Sequence, residues 1–230
     1  MTRDQAVDAI MRRLAGRNDT QNTVRDHCVS EIVMVIQENL EQEAELPWFL
    51  IEQITSVVTV ADQEYVDLDS AFLSFWDDGG GFWRQNSDGS ETQLIIDDWD
   101  VIKAKFNASS EPAASNTAAP THGTVIGSRL YLRAIPDDAY YLYYWQYGKD
   151  DATDISGAYA DANGGNTNLW LTHAAEWVIG EAGAIVAAEI VRDPEAAANF
   201  VAQANRGKTR TMAKSILMEE QLKARFLGEI

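Results

Sequence analysis

The spacing of apolar residues changes twice along this chain, and that change limits its fold more than any other feature. At the start, Val7, Ile10, Met11 and Leu14 recur at the spacing of one helix face. Thr2 and Gln5 read as a capping box before them, and Gly16 as the cap at the far end. A second helix is expected from Asn22 or Thr23 to about Ala44, with a stripe of Cys28/Val29, Ile32/Val33, Val35/Ile36 and Leu40. At Pro47 the spacing shortens to two. ITSVVTV (54–60), FLSFW (72–76), FWRQ (82–85), RLYLRAI (129–135) and AYYLYYWQY (139–147) read as strands, with one short helix over 97–106. The loop Asp77-Asp78-Gly79-Gly80-Gly81 reads as a hairpin connection. From Leu169 the helical spacing returns, over 169–191, then Pro194–Ala204 behind an Asp193 cap, then a last helix after a junction at Asn205-Arg206-Gly207.

The implied fold class is α+β: a helical bundle from both chain ends with an inserted antiparallel β module. The helical domain is expected over 1–46 and 168–230. The module is expected over 47–167, with one short helix and two low-complexity loops, 107–120 and 148–168. Gly180 and Gly183 would let a second helix approach closely.

Charge is the next constraint. The 230 residues hold 36 Asp+Glu against 18 Lys+Arg, a formal net charge of −18. Phosphate contacts need Lys and Arg, so a sequence-specific DNA binder is excluded. Residues 62–100 carry 11 acids and one base, Arg84, whereas residues 206–230 carry six bases and three acids. An acidic middle and a basic tail imply different partners for each. The single cysteine, Cys28, lies in a helical stripe and reads as a packed core thiol. The apolar run 169–191 is interrupted by His173, Glu176, Glu181 and Glu189, so no membrane span is expected.

Patterns that could carry chemistry fall short. Residues 202–209, AQANRGKT, fit a relaxed phosphate-loop pattern, yet the stretch before them is helical and Ala202 replaces the first glycine. Asp67/Asp69 and Asp97/Asp98/Asp100 are paired carboxylates of the kind glycoside hydrolysis uses, in a chain whose composition makes such pairs common. His173 and Glu176 share a helix face but supply two ligands where a metal needs three or more. No catalytic residue, cofactor or metal is therefore expected. Tyr141, Tyr143, Trp145 and Tyr147 share one face of a strand whose other face is also apolar, so the strand is expected inside a sandwich or under a neighbouring subunit, and the four are subunit-interface candidates. The basic tail offers Arg206, Lys208, Arg210, Lys214, Lys223 and Arg225, with Ile216, Leu217, Leu222 and Phe226 able to fill a groove.

Four stretches, in order, resemble the head–tail adaptor (connector) proteins of tailed bacteriophages. They are the helix ending in LPWF (46–49), TSVVTVADQEYVDLDSAFLSFWD (55–77), PTHGTVIGSRLYLRAIPDDAYYLYYW (120–145) and LWLTHAAEWVIGEAGAIVAAEIVRDPEAAANF (169–200). Asp69 and Ala134 stand where that pattern often has proline. The resemblance implies a structural virion protein rather than an enzyme. It implies a ring of twelve subunits below the portal that extends the DNA channel and attaches a tail or nozzle protein. DNA would pass without sequence-specific binding, with assembly in the bacterial host cytoplasm. It also implies that the basic tail, Arg206 onward, docks on the portal. The alternatives are an acid-rich soluble hydrolase, or a carbohydrate-binding module using Trp76, Trp83 or Tyr141.

Overall fold

The computed structural model describes residues 1–14, 23–76, 81–86, 88–106, 117–149 and 168–228. The chain divides into two compact units, one of Met1–Leu50 with Lys149–Glu229 and one spanning Ile51–Gly148. Helices stand at both ends of the chain and sheets in the middle, an α+β fold.

In the helical unit, α1 (Arg3–Arg13) starts at the expected capping box: Gln5 N donates to Thr2 Oγ1 at 3.3 Å and Thr2 N to Gln5 Oε1 at 3.0 Å. Its C-cap is Leu14; Gly16 lies outside the described residues. Helix α2 (Thr23–Met34) widens into a π turn, Val35–Asn39, and ends in a 3-10 turn, Leu40–Gln42. The expected helix 169–191 is instead α4 (Leu169–His173), α5 (Ala175–Ile185) and a π turn, Val186–Val191. Arg192 adopts a left-handed φ of 57° that ends this run. Asp193 Oδ1 then accepts from Ala196 N at 3.0 Å and caps the helix that follows.

Helix α6 runs unbroken from Pro194 to Gly228, 35 residues. The expected junction at Asn205–Gly207 is absent because Gly207 lies where α6 crosses α5. A Cβ there would stand 2.4 Å from the backbone nitrogen of Trp177. Gly180 faces Ala204 in the same way, at 2.4 Å from its nitrogen, and Gly183 faces the Phe200 ring at 2.5 Å. The three glycines let α5 and α6 pack closely. Ile10, Cys28, Ile32, Ile36, Trp170, Trp177, Val178 and Phe200 fill the core around them.

The β unit has two sheets. The first has the order β1 (Ile51–Val58), β9 (Tyr141–Gly148), β4 (Phe82–Gln85), β5 (Glu91–Gln93), and β3 (Phe72–Phe75) also pairs with β9. The second has the order β2 (Tyr65–Asp67), β8 (Arg129–Arg133), β7 (His122–Ile126), β6 (Ile95–Ile96). The named strand pairs are antiparallel, as expected, apart from the two-residue β6, which lies parallel to β7. Residues 77–80 of the expected hairpin connection lie outside the described residues, and the strands on either side of them are not paired with each other. Both β3 and β4 pair with the β9 edge opposite β1, β3 along Gln146–Gly148 and β4 along Tyr141–Tyr144. They therefore run in the same direction, one after the other. The short helix α3 occupies Trp99–Phe106. Val66, Leu68, Leu130 and Leu132 from one sheet meet Phe82, Leu142 and Tyr144 from the other, with Leu94, in one buried cluster.

Candidate functional site

The basic stretch lies on α6, and the structure accounts for its residues one by one. Arg206 and Arg210 both approach Glu176 of α5, at 3.8 and 2.6 Å. Lys208 Nζ is 2.7 Å from Glu43 and 5.3 Å above the Trp177 ring. Lys214 stands 5.2 Å above the Trp48 ring, and Ser215 Oγ accepts from Trp48 N at 3.1 Å. These ion pairs keep at least one partner in contact with solvent, so each contributes about 1 kcal/mol or less. Together with the glycine crossing they hold α6 onto its own unit as far as Ser215. Beyond it, Ile216 and Leu217 are 61% and 62% exposed. Leu222 and Lys223 are half-buried. Arg225 and Phe226 belong to α6, with side chains outside the described set.

On the β unit, β9 alternates as its sequence requires: Leu142, Tyr144 and Gln146 are buried, while Tyr141, Tyr143, Trp145 and Tyr147 share the outer face. Tyr141 is 58% exposed; the other three are half-buried. Trp83 stacks on Tyr143 at 6.4 Å, with planes 8° apart. The strand register adds Gln53, Gln85 and Gln93 to this face, with Glu91 its one carboxylate among these paired positions. Burial, and then a hydrogen bond to Glu91, raise the pKa of the Tyr143 phenol. An aromatic, amide-rich face on so acidic a chain has the composition of a contact surface.

Other patterns take structural roles. Residues 202–209 lie inside α6, with no loop to cradle a phosphate. Asp67 pairs with Arg129 at 2.8 Å, and Asp69 Oδ1 accepts from Ala71 N at 2.8 Å. Arg84, the single base of 62–100, is buried; it donates to Pro120 O at 2.8 Å and lies 5.3 Å over Tyr140. Among the described residues no group of three or more His, Cys, Asp or Glu converges as a metal site. No helix among them is long and apolar enough to cross a membrane. The loop readings at 107–120 and 148–168 fall almost entirely outside the described residues.

The described residues thus leave Ile216 and Leu217 exposed on one unit and Tyr141 exposed on the other. A family model, described as SU10 adaptor protein, matches residues 1–222. The chain belongs to the SU10 adaptor protein family. This is a phage head–tail adaptor family, so the adaptor is a structural phage protein of the virion and works with head and tail proteins. No curated protein matches it.

Charge made the adaptor's basic segment visible in sequence, but not its partners. Glu43 and Glu176 are 165 and 34 positions from the bases they meet. His173 gains a role no motif suggested. Its ring stacks on Phe49 at 5.2 Å and meets Trp48 edge-on at 5.2 Å. Partial desolvation against these rings, then the nearby Lys214 charge, lower its pKa, although the residue as a whole is exposed. The folded state therefore prefers the neutral imidazole, and the stability this gives is lost as pH falls through the ordinary histidine value near 6.5. The urea midpoint of the adaptor should fall between about pH 7 and about pH 5. His173→Gln should make that fall smaller, and an unchanged fall would show that His173 does not contribute.

Proposed function

We propose that this adaptor forms a ring of twelve copies below the portal, extends the DNA channel and carries the tail or nozzle. The observation that carries this reading is the neighbouring exposed pair Ile216 and Leu217, on the basic helix next to Ser215, whose hydroxyl accepts from Trp48 N. Two adjacent large apolar side chains on a helix surface suit insertion into a groove on a partner. The surrounding lysines and arginines would steer that encounter toward an acidic portal surface. The outer face of β9, with Tyr141, Tyr143, Trp145 and Tyr147, supplies contact area between copies. A net charge of −18 per copy gives packaged DNA a channel wall to which it does not adhere, so it passes without base-specific contacts. Assembly takes place in the bacterial host cytoplasm.

The structure sets where the segment should be cut. Ending the chain after Asn205 would remove Gly207, Lys208 and Ser215, which the helical unit uses for its own packing. Ending it after Ser215 keeps those three residues and removes the exposed pair with the C-terminal turns of α6, including the half-buried Leu222 and Lys223. The shortened chain should keep its circular dichroism spectrum and lose attachment to portal rings by at least tenfold, about 1.4 kcal/mol. Attachment at full affinity would move the docking surface elsewhere.

A further inference from the structure

A cavity of about 390 Å³ opens on the helical unit, lined by Arg13 of α1 and by Ala196, Asn199, Phe200, Ala202 and Arg206 of α6. Phe200 is buried, and the Arg13 guanidinium lies 5.9 Å over its ring. Arg13 has no acidic partner among the described residues. Arg206 has one long contact, 3.8 Å to Glu176, whose other oxygen is held by Arg210 at 2.6 Å. Two guanidinium groups, neither in a short ion pair among the described residues, thus flank the Phe200 ring, Ala196 and Ala202, with Asn199 beside them. Guanidinium groups in such a setting recognise carboxylates, and the ring accepts an aliphatic neighbour.

The same chain carries a segment with that chemistry. Residues 95–101, Ile-Ile-Asp-Asp-Trp-Asp-Val, run from β6 into the first turn of α3. Ile95, Ile96 and Val101 are 50%, 40% and 49% exposed, and Asp98 and Asp100 are also exposed. We propose that this segment of a second copy of the chain seats in the Arg13–Phe200–Arg206 cavity. The inference rests on the reading that copies assemble side by side. Copies at −18 each repel one another, so contact is favoured where local charge is opposite, and the cavity is such a place. Two different patches meeting make a heterologous contact, the kind that closes into a ring. Arg206 then serves the contact between copies, and the helix end beyond Ser215 serves the portal.

The test is sedimentation velocity of the full-length chain, alone and with portal rings, at low and moderate salt. The natural chain should self-associate, and salt should weaken the association. Arg13→Glu and Asp100→Lys should each weaken it about tenfold, and the chain carrying both should recover it. Both positions are exposed, so circular dichroism should show each variant folded. Association that neither substitution changes, or that the double variant fails to recover, overturns this contact while leaving side-by-side assembly standing. Loss of portal attachment in Arg13→Glu with self-association intact gives the cavity to an acidic portal segment and overturns the second-copy assignment. A chain that stays monomeric with and without portal overturns both.

Discussion

Replacing Gly207 with valine should destabilise the helical unit by about 3 kcal/mol or unfold it. Two effects oppose each other here. Glycine inside a helix costs about 1 kcal/mol relative to alanine, so a side chain would ordinarily help a 35-residue helix. At Gly207 the first added carbon would lie 2.4 Å from Trp177 N and 2.7 Å from its Cα. Those are backbone atoms of α5, and they cannot rotate away as a side chain can. The clash should win, and α6 must then lift from α5 along a crossing that also includes Gly180 and Gly183. Thermal denaturation followed by circular dichroism reads the outcome. An increase in stability would mean that propensity wins and that the two helices do not approach this closely.

In the β unit, Phe82→Ala and Tyr141→Ala should have opposite consequences. Phe82 is 1% exposed, and its ring centroid lies 4.7 Å from those of both Phe75 and Tyr144. Truncation leaves a cavity between the sheets, and the expected loss is about 4 kcal/mol, a large part of the stability of an ordinary domain. Tyr141 points to the outer face and is 58% exposed, so its loss should move stability by less than about 0.5 kcal/mol. Its effect should appear in assembly instead, as fewer copies retained on the portal. Urea denaturation of each variant, beside a mass measurement of the assembled particle, separates the two roles. A Tyr141→Ala chain that assembles normally would remove this residue from the contact between copies.

The fold class could be read from the chain because helical and strand spacing occupy separate stretches, and Leu142 and Tyr144 alternate with Tyr141 and Tyr143 as any half-buried strand must. The details that escaped have physical causes. Strands β5, β6 and β2 are two or three residues long, too short for any alternation to register. Strand β8 was legible in RLYLRAI, but its partner β7 was not, because HGTVI lies in a stretch rich in Gly, Thr and Ser that turns at Gly127, with φ 63°. The loop at 77–81 resembles a hairpin because its composition suits a tight turn, but β9 offers one edge to both flanking strands. Asn205–Gly207 resembles a break because glycine is a weak helix former. Packing against Trp177 overrides that preference. Of the basic segment, the charge was legible; that Lys208 is already held by Glu43, and that Ile216 and Leu217 stand clear, depends on which residues the fold brings together.

The central claim, that this adaptor acts as a ring on the portal, is tested most directly by electron cryomicroscopy of portal rings incubated with the full-length chain. The expected image is a closed ring of twelve copies seated on one face of the portal, with the α6 end in contact with it and an open axial channel. Undecorated portals, or scattered single copies that never close, would contradict it.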